Sequence, residues 1–446
     1  GSILGDYKAG NKFGKISIKL AEKYKYSPSL CIVYFVVGAL VSHWSEHASN
    51  GLEYLYKAVN YGMEAGDLLM IGYAHCFILE IQYFLGLPLD EMAEVVKGKH
   101  ELARKLKHGS LGINAAIYER VVSALRGSTE DTKGAKGISL FEQQDGEFMQ
   151  MMNEDQTSLA TYYFHRMYFY YMEGNYRDAL SVAKEIESLI GSIIGLMISA
   201  EYIFYYSLII VSIYDELSHP EKKHYRKVLK KNQKQMKKWA DACEENFLHK
   251  YLLVEAEIAR LKRKTKEAME LYDKAIYSAE ENGYIQNAAL ANELAARFYG
   301  MNGMNKIENT YIKEAFNNYK KWGAAIKVKE LMDRYPDLLI EDKSESTEQD
   351  ITRLLGSLGA IYAESYYETA GDFDMDRIGK LVESFSKEID LNKLLDSFLD
   401  TALQIANADK GYLILEENGD LFVEAAKNYD NSLKITEPIL LEDCND

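Results

Sequence analysis

Apolar residues return every three or four positions along most of the first 336 residues, which predicts a succession of amphipathic helices. Residues 7–24 carry Phe13, Ile16, Ile18 and Leu20 at roughly this spacing. Residues 29–47 read as a second, strongly apolar helix, and residues 52–64 as a third, with Leu52, Leu55, Tyr56 and Val59 on one stripe. Asp67 is the expected N-cap of the next helix, because a short carboxylate accepts from the unpaired amides of a first turn. Gly86 and Pro88 should end that helix, and residues 89–107 continue the series. A Gly-, Lys- and Asp-rich insertion follows at 128–146. Helices then resume at 156–172 and, past Gly174-Asn175-Tyr176, at 178–189. Pro336 closes the series, and the acidic stretch EDKSESTEQD at 341–350 reads as a linker. Residues 351–371 mix helical spacing with Gly and Ser.

Near the C terminus the period changes. Asp374 is placed to cap a helix with Ile378, Leu381, Val382, Phe385 and Ile389 on one face. Asp390 is placed to cap a second, with Leu391, Leu394, Leu395, Phe398 and Leu399. Residues 411–416 then read as a strand, 417–420 as a turn with an Asn-Gly pair, and 421–426 as the returning strand. The expected organisation is a helical array over 1–336, a linker over 337–373, and a linker helix with the start of an α/β domain over 374–446.

Two short patterns sharpen the array. Ala268, Tyr272 and Ala275 fit the A-x3-F-x2-A core of a tetratricopeptide second helix, and Gly174, Tyr176 and Ala179 match its G-x-Y-x-x-A turn. Small residues there let paired helices approach closely. In the next hairpin Ala288, Ala289, Ala291, Ala295 and Ala296 line one helix, with Tyr311, Ala315, Phe316 and Tyr319 facing it. The fold class expected is mainly α: a tetratricopeptide-like α-solenoid of stacked helix pairs, then a linker and a truncated α/β segment.

Composition narrows the partners. The chain has 446 residues and a net charge of −16, which argues against nucleic acid or an anionic membrane as the main partner. Abundant Tyr (34) and scarce Pro (5) suit long packed helices. Cys31, Cys76, Cys243 and Cys444 form no CxxC pair, so neither a zinc ribbon nor a disulfide framework is expected, and a reducing, cytoplasmic setting follows. No basic-then-apolar leader opens the chain, and Gly1-Ser2 reads as a cloning scar on a segment of a longer protein. Between 189 and 214 only Glu201 is charged, long enough for a membrane span. Gly191 and Gly195 should break that stretch, so a buried repeat helix is expected instead.

Several segments resemble the helical region of large bacterial multi-sensor signalling kinases. They are HWSEH, GLEYLYKAVNYGMEAGDLL, WADACEENFLHKYLLVEAEIARL, QNAALANELAARFY and EAFNNYKKWGAAIKVKELMDRYP, in that order. Residues 375–425 resemble that family's linker helix and the start of its GAF domain. Such proteins join a serine/threonine-kinase-like domain, a STAND-type ATPase, a tetratricopeptide-like array, a GAF domain and a histidine kinase. The resemblance therefore implies a non-catalytic regulatory region, relaying a signal from an ATPase and repeat module through the linker helix to GAF and kinase output. The sequence itself contains no Walker A motif, no kinase catalytic loop and no histidine-kinase ATP-binding box, and the GAF pocket is incomplete. A stand-alone adaptor that binds a peptide or protein is the alternative reading.

Four constellations are candidates for function. His43-Trp44-Ser45-Glu46-His47 fits H-x-x-E-H, so His43 and His47, with Glu119 downstream, form a remote zinc-hydrolase reading with Glu46 as base. The alternative is that Trp44 packs between hairpins, and no metal or cofactor is expected. Residues 221–238 are basic in an acidic chain, so Lys230, Lys231 and Lys234 could dock an acidic surface of a protein or of another domain of the parent; a solvated outer face is the plainer alternative. Tyr163 and Tyr170 lie on an aromatic helix that reads as core or as a peptide groove. Ile378, Leu381 and Phe385 form a narrow stripe that reads as a parallel dimer seam or as packing on the GAF sheet.

Overall fold

A computed structural model describes residues 5–127, 152, 155–339, 410–417, 420–428 and 439–440. The chain divides into two compact units, 1–340 and 341–446.

Helix starts in the first unit follow local chemistry. Asp6 accepts from the Ala9 amide and opens α1 (Tyr7–Tyr24), and Asp67 accepts from Met70 and opens α4 (Leu68–Phe84). Between them lie α2 (Ser27–Val36) and α3 (Ser49–Ala65). Then come α5 (Leu89–Leu106), α6 (Gly109–Arg126), α7 (Gln156–Met172), α8 (Tyr176–Ile193) and α9 (Met197–Ile213). The series closes with α10 (His219–Ala242), α11 (Glu244–Leu261), α12 (Thr265–Glu281), α13 (Ile285–Met301), α14 (Asn305–Trp322) and α15 (Ala325–Arg334). The most extensive packing pairs sequence neighbours, such as α7 with α8, α11 with α12, and α13 with α14. The small and aromatic residues named above are buried where these pairs meet: Ala268, Tyr272, Ala275, Ala289, Ala295, Ala315 and Tyr319 are at most 1% exposed. This is the helix-pair stacking of a tetratricopeptide-like array.

Two sequence expectations are corrected. Residues 29–47 are not one helix: after α2 the chain makes a π turn at Val37–Val41 and a 3-10 turn at Ser42–Trp44. Gly38 lies so close to α3 that a Cβ there would meet the Gly51 carbonyl at 3.0 Å and Leu55 at 2.9 Å, and the carbonyls of His43 and Glu46 bond to Asn246 instead of extending a helix. Gly191 does not interrupt α8; the break falls at Gly195, where φ is +90°. Among the described residues two stretches, Ser27–Trp44 and Met197–Glu216, are long and apolar enough to cross a membrane by length and composition. The second is 78% buried among the other helices, as a core helix would be.

The array also folds onto itself across long sequence distances. Tyr7 and Trp44 pack against α10 and α11: the Trp44 ring stacks on Trp239 and Phe247, and Trp239 Nε1 donates to the Tyr7 hydroxyl (2.9 Å). Gln286 Nε2 donates to the Phe84 carbonyl (2.7 Å), and α6 packs on α15. Among the described residues, helices α1 to α6 therefore cover one side of α7 to α15.

In the second unit, β1 (Lys410–Glu417) and β2 (Asp420–Asn428) pair antiparallel, from Lys410 opposite Asn428 to Glu417 opposite Asp420. The register shifts between Leu413 and Ile414, a β-bulge. A two-residue β3 (Ile439–Leu440) pairs with β2 at Phe422 and Val423.

Candidate interaction surface

The basic segment forms α10. Glu221 accepts from both the amide and the hydroxyl of Ser218, and Pro220 occupies the first turn, where its missing N–H costs nothing. One face is anchored. Tyr225, Leu229, Met236 and Trp239 are buried. Asn232 donates to Ser207 Oγ (3.1 Å), and Gln233 donates to the Tyr251 carbonyl and to Glu255 (3.2 and 2.8 Å). The other face carries Lys223, Lys227, Lys230, Lys231, Lys234 and Lys238, all exposed and without an ion-pair partner among the described residues. Their spacing puts them on one stripe about 22 Å long. Lys237, beside it, pairs with Asp241 (2.8 Å). The stripe is a local feature. Nine of the 52 Lys and Arg and 25 of the 68 Asp and Glu fall in residues 341–446, which leaves 43 of each in residues 1–340.

Of the aromatic pair, Tyr170 is 5% exposed and carries the Arg166 guanidinium near its ring, so the packing of α7 takes it up and it offers no groove surface. Tyr163 is half-buried, its ring beside Tyr162. Ile378, Leu381 and Phe385, like the insertion at 128–146, lie outside the described residues.

The HWSEH residues are put to other uses. His43 is buried against Trp44, and loss of solvent lowers its pKa to about 3. His47 contacts Ser49 Oγ (2.7 Å) and the Asn282 carbonyl (3.2 Å). Glu46 is pushed up by burial, but bonds from Asn11 and Lys15 outweigh this and hold its pKa below the usual range. Glu119 pairs with His100 (3.1 Å) on the α5–α6 hairpin. Among the described residues no three His, Cys, Asp or Glu side chains are grouped as a metal ion requires. The turn itself breaks the helix on which a shared ligand pair was expected.

What holds this turn is Asn246, fully buried. Its Nδ2 donates to the His43 and Glu46 carbonyls (2.7 Å each), and its Oδ1 accepts from the Ala48 amide (3.0 Å) and the Tyr284 hydroxyl (2.7 Å). One turn further on, Lys250 pairs with Glu201 at 2.9 Å, both buried. Burial raises the Glu201 pKa, and Lys250 opposes it. Glu80 is buried too; loss of solvent raises its pKa to about 8, against a bond from the Ile198 amide. At the array's end Glu293 meets Lys327 (3.0 Å), Arg297 (3.2 Å) and the Tyr319 hydroxyl (2.8 Å); burial would raise its pKa, but the two cations hold it down. Of these buried charges the sequence pattern singled out only Glu201, the lone charge in a long apolar run.

Comparison with known proteins fits this architecture. Residues 138–341 match a family model described as CHK1-like, TPR repeats. Hybrid signal transduction histidine kinase G of Dictyostelium discoideum is 30% identical over 93 residues, which are 21% of this chain and 3% of that protein. The chain thus matches only a small part of that relative's length. A tetratricopeptide-like helical region is present, of a kind that typically holds and positions other proteins and does no chemistry.

Proposed function

We propose that this chain is the regulatory scaffold of a signal-transduction kinase: a tetratricopeptide-like array that receives a protein signal and passes it on through a linker helix to a GAF domain and a histidine-kinase output. The observation that carries the reading is the repeat match combined with the likeness to a hybrid histidine kinase. The antiparallel hairpin at 410–428 suits the opening of a GAF sheet, and the stripe of Ile378, Leu381 and Phe385 suits a homodimer seam through which strain is relayed. Three free cysteines, Cys31, Cys76 and Cys243, suit the cytoplasm. No step of phosphoryl transfer falls to this region in the proposal; it positions domains that do it. Relay requires two arrangements of the array with different affinity for the incoming partner.

The test is autophosphorylation of the natural full-length protein, with residues 5–339 intact or deleted. The expected result is a changed rate on deletion, with secondary structure of the remainder preserved. An unchanged rate sinks the relay and leaves a simple adaptor.

A further inference from the structure

We propose that the exposed face of α10 is a docking stripe for a short, extended acidic segment of a protein partner lying along the helix. This rests on the scaffold reading above and names its partner by chemistry. Lys223, Lys227, Lys230, Lys231, Lys234 and Lys238 line up over about 22 Å on a helix whose opposite face is fixed by Asn232, Gln233 and Trp239. The cations are thus held in register before any partner arrives, which lowers the ordering cost of binding. Like charges at this spacing repel one another along a helix, so the stripe is destabilising by itself and is relieved by an anionic partner.

The surroundings select a short segment over an extended polyanion. Asp215 and Glu216 lie exposed at the N-terminal end of α10, and Asp241, Glu244 and Glu245 at its C-terminal end. A membrane surface or a nucleic acid would run past both ends and bring its phosphates against these carboxylates. No large apolar side chain of α10 is exposed to enter a lipid interface. A segment of about seven extended residues spans the stripe and stops short of the acids.

The experiment uses the whole chain and a fluorescein-labelled heptaglutamate peptide, with a heptaglutamine control, read by anisotropy at low and high ionic strength. Expected are saturable binding of the acidic peptide only, weakening with salt, and a loss of roughly ten-fold or more in the variant Lys230→Glu, Lys231→Glu, Lys234→Glu. A control variant, Lys262→Glu with Lys266→Glu, reverses charge on α12 and its preceding turn and should bind as the native chain does. Circular dichroism checks that both variants are folded. No peptide binding, equal binding by the two variants, or tighter binding to phosphatidylserine vesicles or duplex DNA overturns the proposal. Peptide binding with an unchanged autophosphorylation response would instead leave the docking stripe standing and remove the relay.

Discussion

Asn246 satisfies three backbone groups and one hydroxyl with a single side chain. Its amide, some 200 residues from the turn in sequence, closes the turn at His43 to Ala48 and ties it to Tyr284. Asn246→Ala leaves all four groups buried and unpaired, at about 1–3 kcal/mol each when water cannot enter. The expected outcome is a loss of about 3 kcal/mol or more in urea unfolding; a loss below about 1 kcal/mol would show that the turn is held by other contacts. Glu80 gives a pH signature. Its folded pKa of about 8 lies above the unfolded value of 4.5. Below about pH 4.5 the carboxyl is neutral in both states and its stability contribution is complete. As pH rises to 8 the unfolded chain releases the proton while the folded chain keeps it, so stability falls, and it levels off above 8. Glu80→Gln keeps an acceptor for the Ile198 amide and removes this loss. Thermal melts of the two proteins should agree near pH 4 and diverge toward pH 8, with the variant more stable; parallel curves would refute the assignment. Neither residue was legible locally, because Asn and Glu inside a helix usually mean an exposed face.

Among the elements, α15 shows how the array ends. It is short, and its Lys327 is buried against Glu293 of α13, with Tyr319 of α14 on the same carboxylate. Two helices are thus fixed to the last one by one anion. Lys327→Met should cost about 2–4 kcal/mol, since removing one partner strands a buried charge that Arg297 only partly compensates. Adding Glu293→Gln should recover part of that loss, and a thermodynamic cycle over the four proteins measures the coupling; strictly additive effects would mean that the pair does not act as a unit. At this scale the sequence was informative. The bounds of α1, α5 and α7 follow from periodicity, and the start of α4 from its cap Asp67. The exceptions are the π and 3-10 turns after α2 and the continuous α8. In each, tertiary contacts overruled a local signal: the close approach of Gly38 to α3, and the packing of α8 on α7 past Gly191.

For the whole molecule, the decisive feature of residues 5–339 is closure. The first six helices cover faces of the later ones through Trp44, Trp239, Phe247, Gln286 and the α6–α15 contact. Gly86, with φ +83°, lets the chain pass within reach of Gln286; a Cβ there would meet Gln286 Oε1 at 2.0 Å. Gly86→Ala should therefore lower the melting temperature through backbone strain and loss of the Gln286–Phe84 bond together. Residues 155–339 alone should expose the Trp239 and Phe247 face, bind a hydrophobic dye and melt well below the whole chain. Equal stability of fragment and chain would mean that the two groups of helices are independent. Closure leaves outer surfaces such as the α10 stripe exposed, while Tyr170 is taken up by packing.

The amino-acid sequence by itself determined that this chain is built of paired helices, where most begin and end, and where a strand hairpin follows, because periodicity, caps and turn residues act over a few positions. It also placed the cations of α10 on one face, since helical spacing alone does that. Only the tertiary structure decided that HWSEH forms a broken turn held by Asn246, that Glu80, Glu201 and Lys250 are buried together, and that the array closes on itself. Those outcomes depend on pairings between residues some 50 to 230 positions apart, and burial and partner choice at such separations leave no mark in the local pattern.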